Sequence, residues 1–196
     1  LQLVDQGLAE KVAEALGHDL PEPATPALAP VDLKASDKLS ILKNGPDSFK
    51  GRKMGILVTD GMDKTIFDAV VDAVQAEGGM VEIVAPKVGG VTASNGEVVE
   101  ANQKIDGGPS VLYDAVALVL SKDGAEKLGK MLPGKDFVSN AHGHCKFIAM
   151  TADAQPLMQA AGLTEVDGGI MTLNTPGDAP AFVKACRAVR FWDRAA

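Results

Sequence analysis

From residue 53 onward the chain repeats one unit: a short, nearly unbroken apolar run, then apolar residues recurring at helical spacing. Lys53-Met-Gly-Ile-Leu-Val-Thr59 is the first such run. A strand with one face in water alternates polar and apolar residues, so this run predicts a strand covered on both faces. In residues 65–75, Ile66, Phe67, Val70, Val71 and Val74 fall along one side of a helix, and Gly78-Gly79 is its stop. Further strands are predicted at 80–85, 115–120 and 147–151, and further helices at 123–131, 136–142, 155–161 and 181–192. Ser94-Asn95-Gly96, between Val91 and Val98-Val99, supplies the turn of a hairpin. Strands alternating with helices predict an α/β fold over 51–196, a flavodoxin-like parallel sheet sandwiched between helices.

Two different segments precede that domain. Within residues 1–18, Leu3, Val4, Leu8, Val12, Ala15 and Leu16 line one side of a predicted helix. A helix this short is marginal in water, so its apolar stripe calls for a partner surface. The chain opens at Leu1 rather than a methionine, and this start reads as the tail of a larger body. Residues 19–50 carry Pro21, Pro23, Pro26 and Pro30, then the turn cluster Asn44-Gly-Pro-Asp47. Proline at that density forbids a helix and favours an extended, semi-rigid linker. Leu28, Val31, Leu33, Leu39, Ile41 and Leu42 would anchor it along a protein surface.

Charge and cysteine content narrow the function classes. A formal net charge of −7 argues against nucleic-acid binding through a general electrostatic field. No apolar run approaches the roughly 20 residues that span a bilayer, so no membrane partner is expected. The two cysteines, Cys145 and Cys186, are too few for a disulfide framework, and a cytoplasmic setting is expected.

Ligands of such sheets bind beyond the carboxyl ends of the strands, which selects the loops at 59–63, 121–124 and 151–154. The last turns a buried strand into a helix, where related folds seat a nucleophile on a strained elbow. Its tip is Ala152, which cannot attack a substrate, and Thr151 before it reads as the strand's last residue. No catalytic residue is predicted. His142-Gly-His144-Cys145 is the one local group of metal-capable side chains, yet zinc needs three or four ligands, so no metal is expected. Cys145 is a candidate redox thiol, since His144 and Lys146 flank it and positive charge favours the thiolate. Lys184, Arg187, Arg190 and Arg194, three to four apart, read as a basic stripe on the last helix.

The stretch Lys146-Phe-Ile-Ala-Met-Thr-Ala-Asp-Ala-Gln-Pro-Leu-Met-Gln-Ala-Ala-Gly-Leu163 resembles the elbow segment of the DJ-1/PfpI superfamily, the class I glutamine amidotransferase-like fold. Active members carry cysteine, histidine and glycine there; this chain carries Ala152, Asp153 and Ala154. The acid that the family supplies from the first loop would fall at Asp63. The resemblance thus implies a degenerate site, Asp63, Ala152 and Asp153, without protease, deglycase or amidotransferase activity.

A second resemblance covers nearly the whole chain. Leu3-Val-Asp-Gln-Gly-Leu-Ala-Glu-Lys-Val-Ala-Glu-Ala-Leu-Gly17 is similar to the end of the helical region of haem catalases. The proline-rich stretch resembles the connector of large-subunit catalases. Gly51-Arg-Lys-Met-Gly-Ile-Leu-Val-Thr-Asp-Gly61, Gly108-Pro-Ser-Val-Leu-Tyr-Asp-Ala-Val116 and His144-Cys-Lys146 resemble their C-terminal domain. The resemblance implies an accessory domain of a homotetrameric, hydrogen-peroxide-decomposing haem catalase, with the core of its own and neighbouring subunits as partners. It implies haem in the parent and none in this segment. Tyr113, in a context unlike an axial-ligand motif, is predicted to pack near the sheet edge. Two other readings follow from the DJ-1 likeness: a holdase-type chaperone of unfolded clients, or a residual small-molecule pocket beside Asp63, Ala152 and Asp153.

Overall fold

The computed structural model describes residues 1–195 other than Pro30, Asp32 and Leu42, so the predicted anchor Leu42 and the predicted linker proline Pro30 lie outside the described residues. The chain divides into two compact units, Leu1–Asn44 and Gly45–Ala196.

In the first unit, α1 spans Gln6–Leu16. Asp5 caps it by accepting the Leu8 N–H at 2.7 Å, and Gly17 closes it in the left-handed conformation at φ 67°. The proline-rich stretch that follows holds no regular structure until a single 3₁₀ turn at Asp37–Leu39.

In the second unit, six strands among the described residues form one parallel sheet. They are β1 (Lys53–Val58), β2 (Met80–Ala85), β5 (Gln103–Lys104), β6 (Ala115–Val119), β7 (Ile148–Thr151) and β8 (Ile170–Leu173), ordered β5-β2-β1-β6-β7-β8. β3 (Val91–Thr92) and β4 (Val98–Val99) pair antiparallel as the predicted hairpin. The helices are α2 (Lys64–Ala76), α3 (Lys122–Gly129), α4 (Leu132–Gly143), α5 (Gln155–Ala160) and α6 (Ala179–Cys186). This is the expected α/β sandwich.

The period of two along β1 sorts its side chains to two cores. Met54, Ile56 and Val58 join α2 and α6 residues such as Phe67, Val70 and Phe182 on one face. Leu57 joins α3, α4 and α5 residues such as Leu128, Phe137 and Leu157 on the other. Gly55 points to that second face, where a Cβ would lie 2.2 Å from the Tyr113 ring. Tyr113 therefore packs over the sheet's central strand, 2% exposed, and not near the edge as predicted. A glycine inside an apolar strand marks such a close approach.

The last helix is shorter than its spacing predicts. It ends at Cys186, and Val189 takes the left-handed conformation at φ 71°, unusual for a β-branched residue. The predicted basic stripe is consequently dispersed. Arg187 pairs with Glu77, with Nε donating at 3.2 Å, and Arg190 donates to the Asp114 carbonyl at 3.2 Å. Arg194 forks onto Asp167 at 2.5 and 2.8 Å and donates to the Lys146 carbonyl at 2.6 Å.

Candidate functional site

Three loops meet at the carboxyl end of the sheet and are laced together by polar contacts. Thr59, buried at the end of β1, accepts the Ser121 N–H on Oγ1 at 3.0 Å. Ser121 Oγ donates to the Asp60 carbonyl at 2.6 Å and accepts the Gly124 N–H at 3.2 Å, so it joins two loops while capping α3. Asp60 Oδ1 accepts the Thr92 N–H at 2.9 Å, and its Oδ2 accepts from Lys87 Nζ at 2.9 Å. The Thr92 N–H, then Lys87, hold the Asp60 carboxyl below the usual carboxylate range. Asp60 thus ties the β1 loop to the hairpin, a role that no local pattern around Asp60-Gly61 announces.

The predicted degenerate site lies beside this cluster. Asp63 is exposed and caps α2: its Oδ1 accepts from the Thr65 N–H at 2.8 Å, Thr65 Oγ1 at 2.7 Å and the Ile66 N–H at 3.2 Å. The Thr65 hydroxyl is the main cause of its lowered pKa. Ala152 and Asp153 are exposed and open a 3₁₀ turn, Ala152–Ala154, after β7. No hydrogen bond among the described residues joins Asp63 to either.

The backbone of the elbow is relaxed as well. A nucleophile elbow presents its side chain from a strained turn. Among the described residues, the non-glycine positions with positive φ are Cys145 and Val189, not Ala152. Thr151 is buried and its hydroxyl is engaged just past the end of β6, accepting the Leu120 N–H at 3.3 Å and donating to the Leu120 carbonyl at 3.2 Å.

Cys145 sits at the opposite end of the sheet, buried, with φ 55°. The flanking side chains are committed elsewhere. His144 Nδ1 lies 2.7 Å from the Asn140 carbonyl at the end of α4. Lys146 is 2% exposed, and its Nζ donates to the carbonyls of Ser110 and Tyr113 at 2.6 and 2.5 Å. Burial first, and then the charge of Arg190, push the Lys146 ammonium down to about 8. Burial pushes the Cys186 thiol up. His142 Nε2 is 3.4 Å from Asp167, and no group of three or more metal-capable side chains converges among the described residues.

Residues 50–196 match the family described as the C-terminal domain found in long catalases. The chain belongs to that family. Catalase C of Rhizobium meliloti (strain 1021) is 44% identical over 194 residues, covering 97% of this chain and 28% of the relative. Catalase HPII of Pseudomonas aeruginosa is 28% identical over 193 residues, covering 98% of this chain and 27% of the relative. This catalase C-terminal domain, with the segment before it, thus spans little more than a quarter of the relatives it matches. Among solved structures, oxidised DJ-1 of Toxoplasma gondii superposes with a TM-score of 0.61 at 18% identity, over 74% of this chain and 94% of that one. A mutant DJ-1 superfamily protein of Salmonella typhimurium gives 0.60 at 18% identity, over 70% and 89%. At that identity the likeness carries the fold alone.

Proposed function

We propose that this chain is the non-catalytic accessory C-terminal domain of a hydrogen-peroxide-decomposing haem catalase. The observation that carries the reading is the end-to-end match to Catalase C at 44% identity. The relaxed, nucleophile-free turn at Ala152 supports the non-catalytic part, because a DJ-1-type reaction has neither its attacking atom nor its strained backbone there. Asp63, already satisfied as a helix cap, supports it too.

Tyr113, the chain's one tyrosine, does not fit the role of a haem ligand. Tyr113 is buried against Gly55, with its hydroxyl 3.4 Å from Glu82, so its phenol is not free to ligate iron. In this reading haem and chemistry belong to the rest of the polypeptide, and the domain stabilises the subunit or tetramer and helps shape the route of peroxide. Its partners are the core of its own and neighbouring subunits. The two free cysteines support a cytoplasmic setting, and no described helix is long and apolar enough to cross a membrane. Cys145 as a redox thiol has less support, being buried with both flanking side chains engaged. The holdase alternative rests on the DJ-1 likeness, which speaks to fold only.

The test is the native polypeptide detected in its source with an antibody against residues 51–196. A band several-fold heavier than this chain, migrating with haem absorbance and peroxide breakdown, is the expected result. A band near 20 kDa without haem would reject the reading.

A further inference from the structure

The order of the sheet reverses between β1 and β6: the chain steps outward from β1 to β2 and β5, then returns to lay β6 on the other side of β1. In open parallel sheets a crevice opens beyond the carboxyl ends of the strands at such a point. Here it is a cavity of about 200 Å³ that reaches from the β2 loop to α3 and does not include Asp63, Ala152 or Asp153. The wall is fixed in advance. Asp60 is held by Thr92, Lys87 and Ser121, and a Cβ on Gly124 would lie 2.1 Å from Thr59 Oγ1, so α3 closes directly on the end of β1.

The lining has two parts. Pro86, Val91, Leu128 and Met131 supply apolar surface. Lys87, Asp60, Lys127 and Asp123 supply the charges. Lys87 pairs with Asp60 at 2.9 Å and Lys127 with Asp123 at 2.6 Å, while Lys127 and Asp60 also attract each other. The four charges therefore alternate in sign and sum to zero. A simple anion drawn to a lysine here meets a carboxylate beside it, and a simple cation drawn to a carboxylate meets a lysine. A molecule carrying one ammonium and one carboxylate on an apolar stem engages both signs at once. The volume lies below the roughly 300–1,000 Å³ of drug-sized ligand pockets, so the occupant is small.

We propose that this cavity binds a small zwitterionic α-amino acid with an apolar side chain of about leucine size. Its carboxylate meets Lys87 and Lys127, its ammonium meets Asp60 and Asp123, and its side chain lies on the apolar surface. All four charged side chains are more than half exposed, which places the affinity in the millimolar range. The site is independent of the catalase reading, and neither haem nor peroxide enters its test.

The experiment is isothermal titration of the intact protein with L-leucine, with 3-methylbutylamine, which lacks the carboxylate, and with 4-methylpentanoate, which lacks the ammonium. Leucine is expected to bind, with each analogue weaker by about tenfold or more. Lys127→Ala should weaken leucine by a similar factor at unchanged Tm, and Met131→Trp, which fills the cavity, should abolish binding. Absence of leucine binding up to its solubility, equal binding of either analogue, or full binding by both variants would overturn the proposal.

Discussion

In Leu1–Asn44, Leu28, Val31, Leu33 and Leu39 are each at least 75% exposed, and among its described residues Ala9 alone is buried. In Gly45–Ala196, apolar residues of the same kinds fill two cores on either face of a six-stranded sheet. Leucine and valine are common to both regions; what differs is the secondary structure that carries them. Residues 45–196 alternate strands and helices, so both apolar faces of the sheet meet helices within the same unit. Residues 1–44 offer an 11-residue helix and a proline-rich stretch, which fold back too little to bury much. The second region buries most of its apolar side chains within itself, though Val88, Val98 and Leu132 stay exposed. The first carries apolar surface suited to another protein surface, in keeping with the accessory role proposed for the whole.

The contrast can be broken most severely at Gly55. Gly55→Ala forces a methyl group into the Tyr113 ring beneath the central strand, and a loss of about 3 kcal/mol is expected by denaturant titration. An unchanged midpoint would mean that the Tyr113 face is far looser than described.

A smaller effect should follow pH. The folded value for Lys146, about 8, lies below its ordinary 10.5, so the unfolded chain holds the proton more tightly. Below pH 8 both states are protonated and the burial penalty is fully present. Between about 8 and 10.5 the folded chain alone releases its proton, so this group makes stability rise with pH across that window. Lys146→Met should flatten that rise in thermal melts. A wild-type curve falling monotonically from pH 8, with the variant parallel to it, would contradict the burial.

The smallest effect is expected in the first region. Leu28→Ser and Leu33→Ser should leave the stability of the chain alone within about 0.5 kcal/mol, because neither side chain is buried within it. In the intact protein the same substitutions should lower Tm if these residues meet a partner surface. No change in either setting would remove the docking role from the first region.

Most of the fold was legible because buried strands and amphipathic helices leave local patterns. β1, β2, β6, β7, α2 and the hairpin lie where apolar runs, spacing and Ser94-Asn95-Gly96 put them. β8 escaped notice: Ile170–Leu173 is four residues long, and its Gly-Gly approach looks like a loop. α4 begins earlier than predicted, at Leu132, because Pro133 is tolerated in a first turn, and α6 ends earlier because its spaced arginines serve distant partners. Glu77, Asp114 and Asp167 come together with those arginines only through tertiary structure. At the candidate site, the loss of the nucleophile at Ala152 is readable as a side chain, whereas the relaxed turn around it is a backbone property. The capping role of Asp63 was open to reading, since aspartate before Lys64-Thr65-Ile66 is a helix-start signal.

In the proposed function the domain serves a catalase without performing the reaction. The most direct measurement compares the full-length protein with a version lacking residues 51–196, recording peroxide turnover per haem and the Tm of the tetramer. Turnover per haem of the same order is expected, with a lowered Tm or a dissociated tetramer. Normal Tm and a normal tetramer after removal would contradict the stabilising role, and turnover abolished in an intact, haem-loaded tetramer would contradict the non-catalytic one.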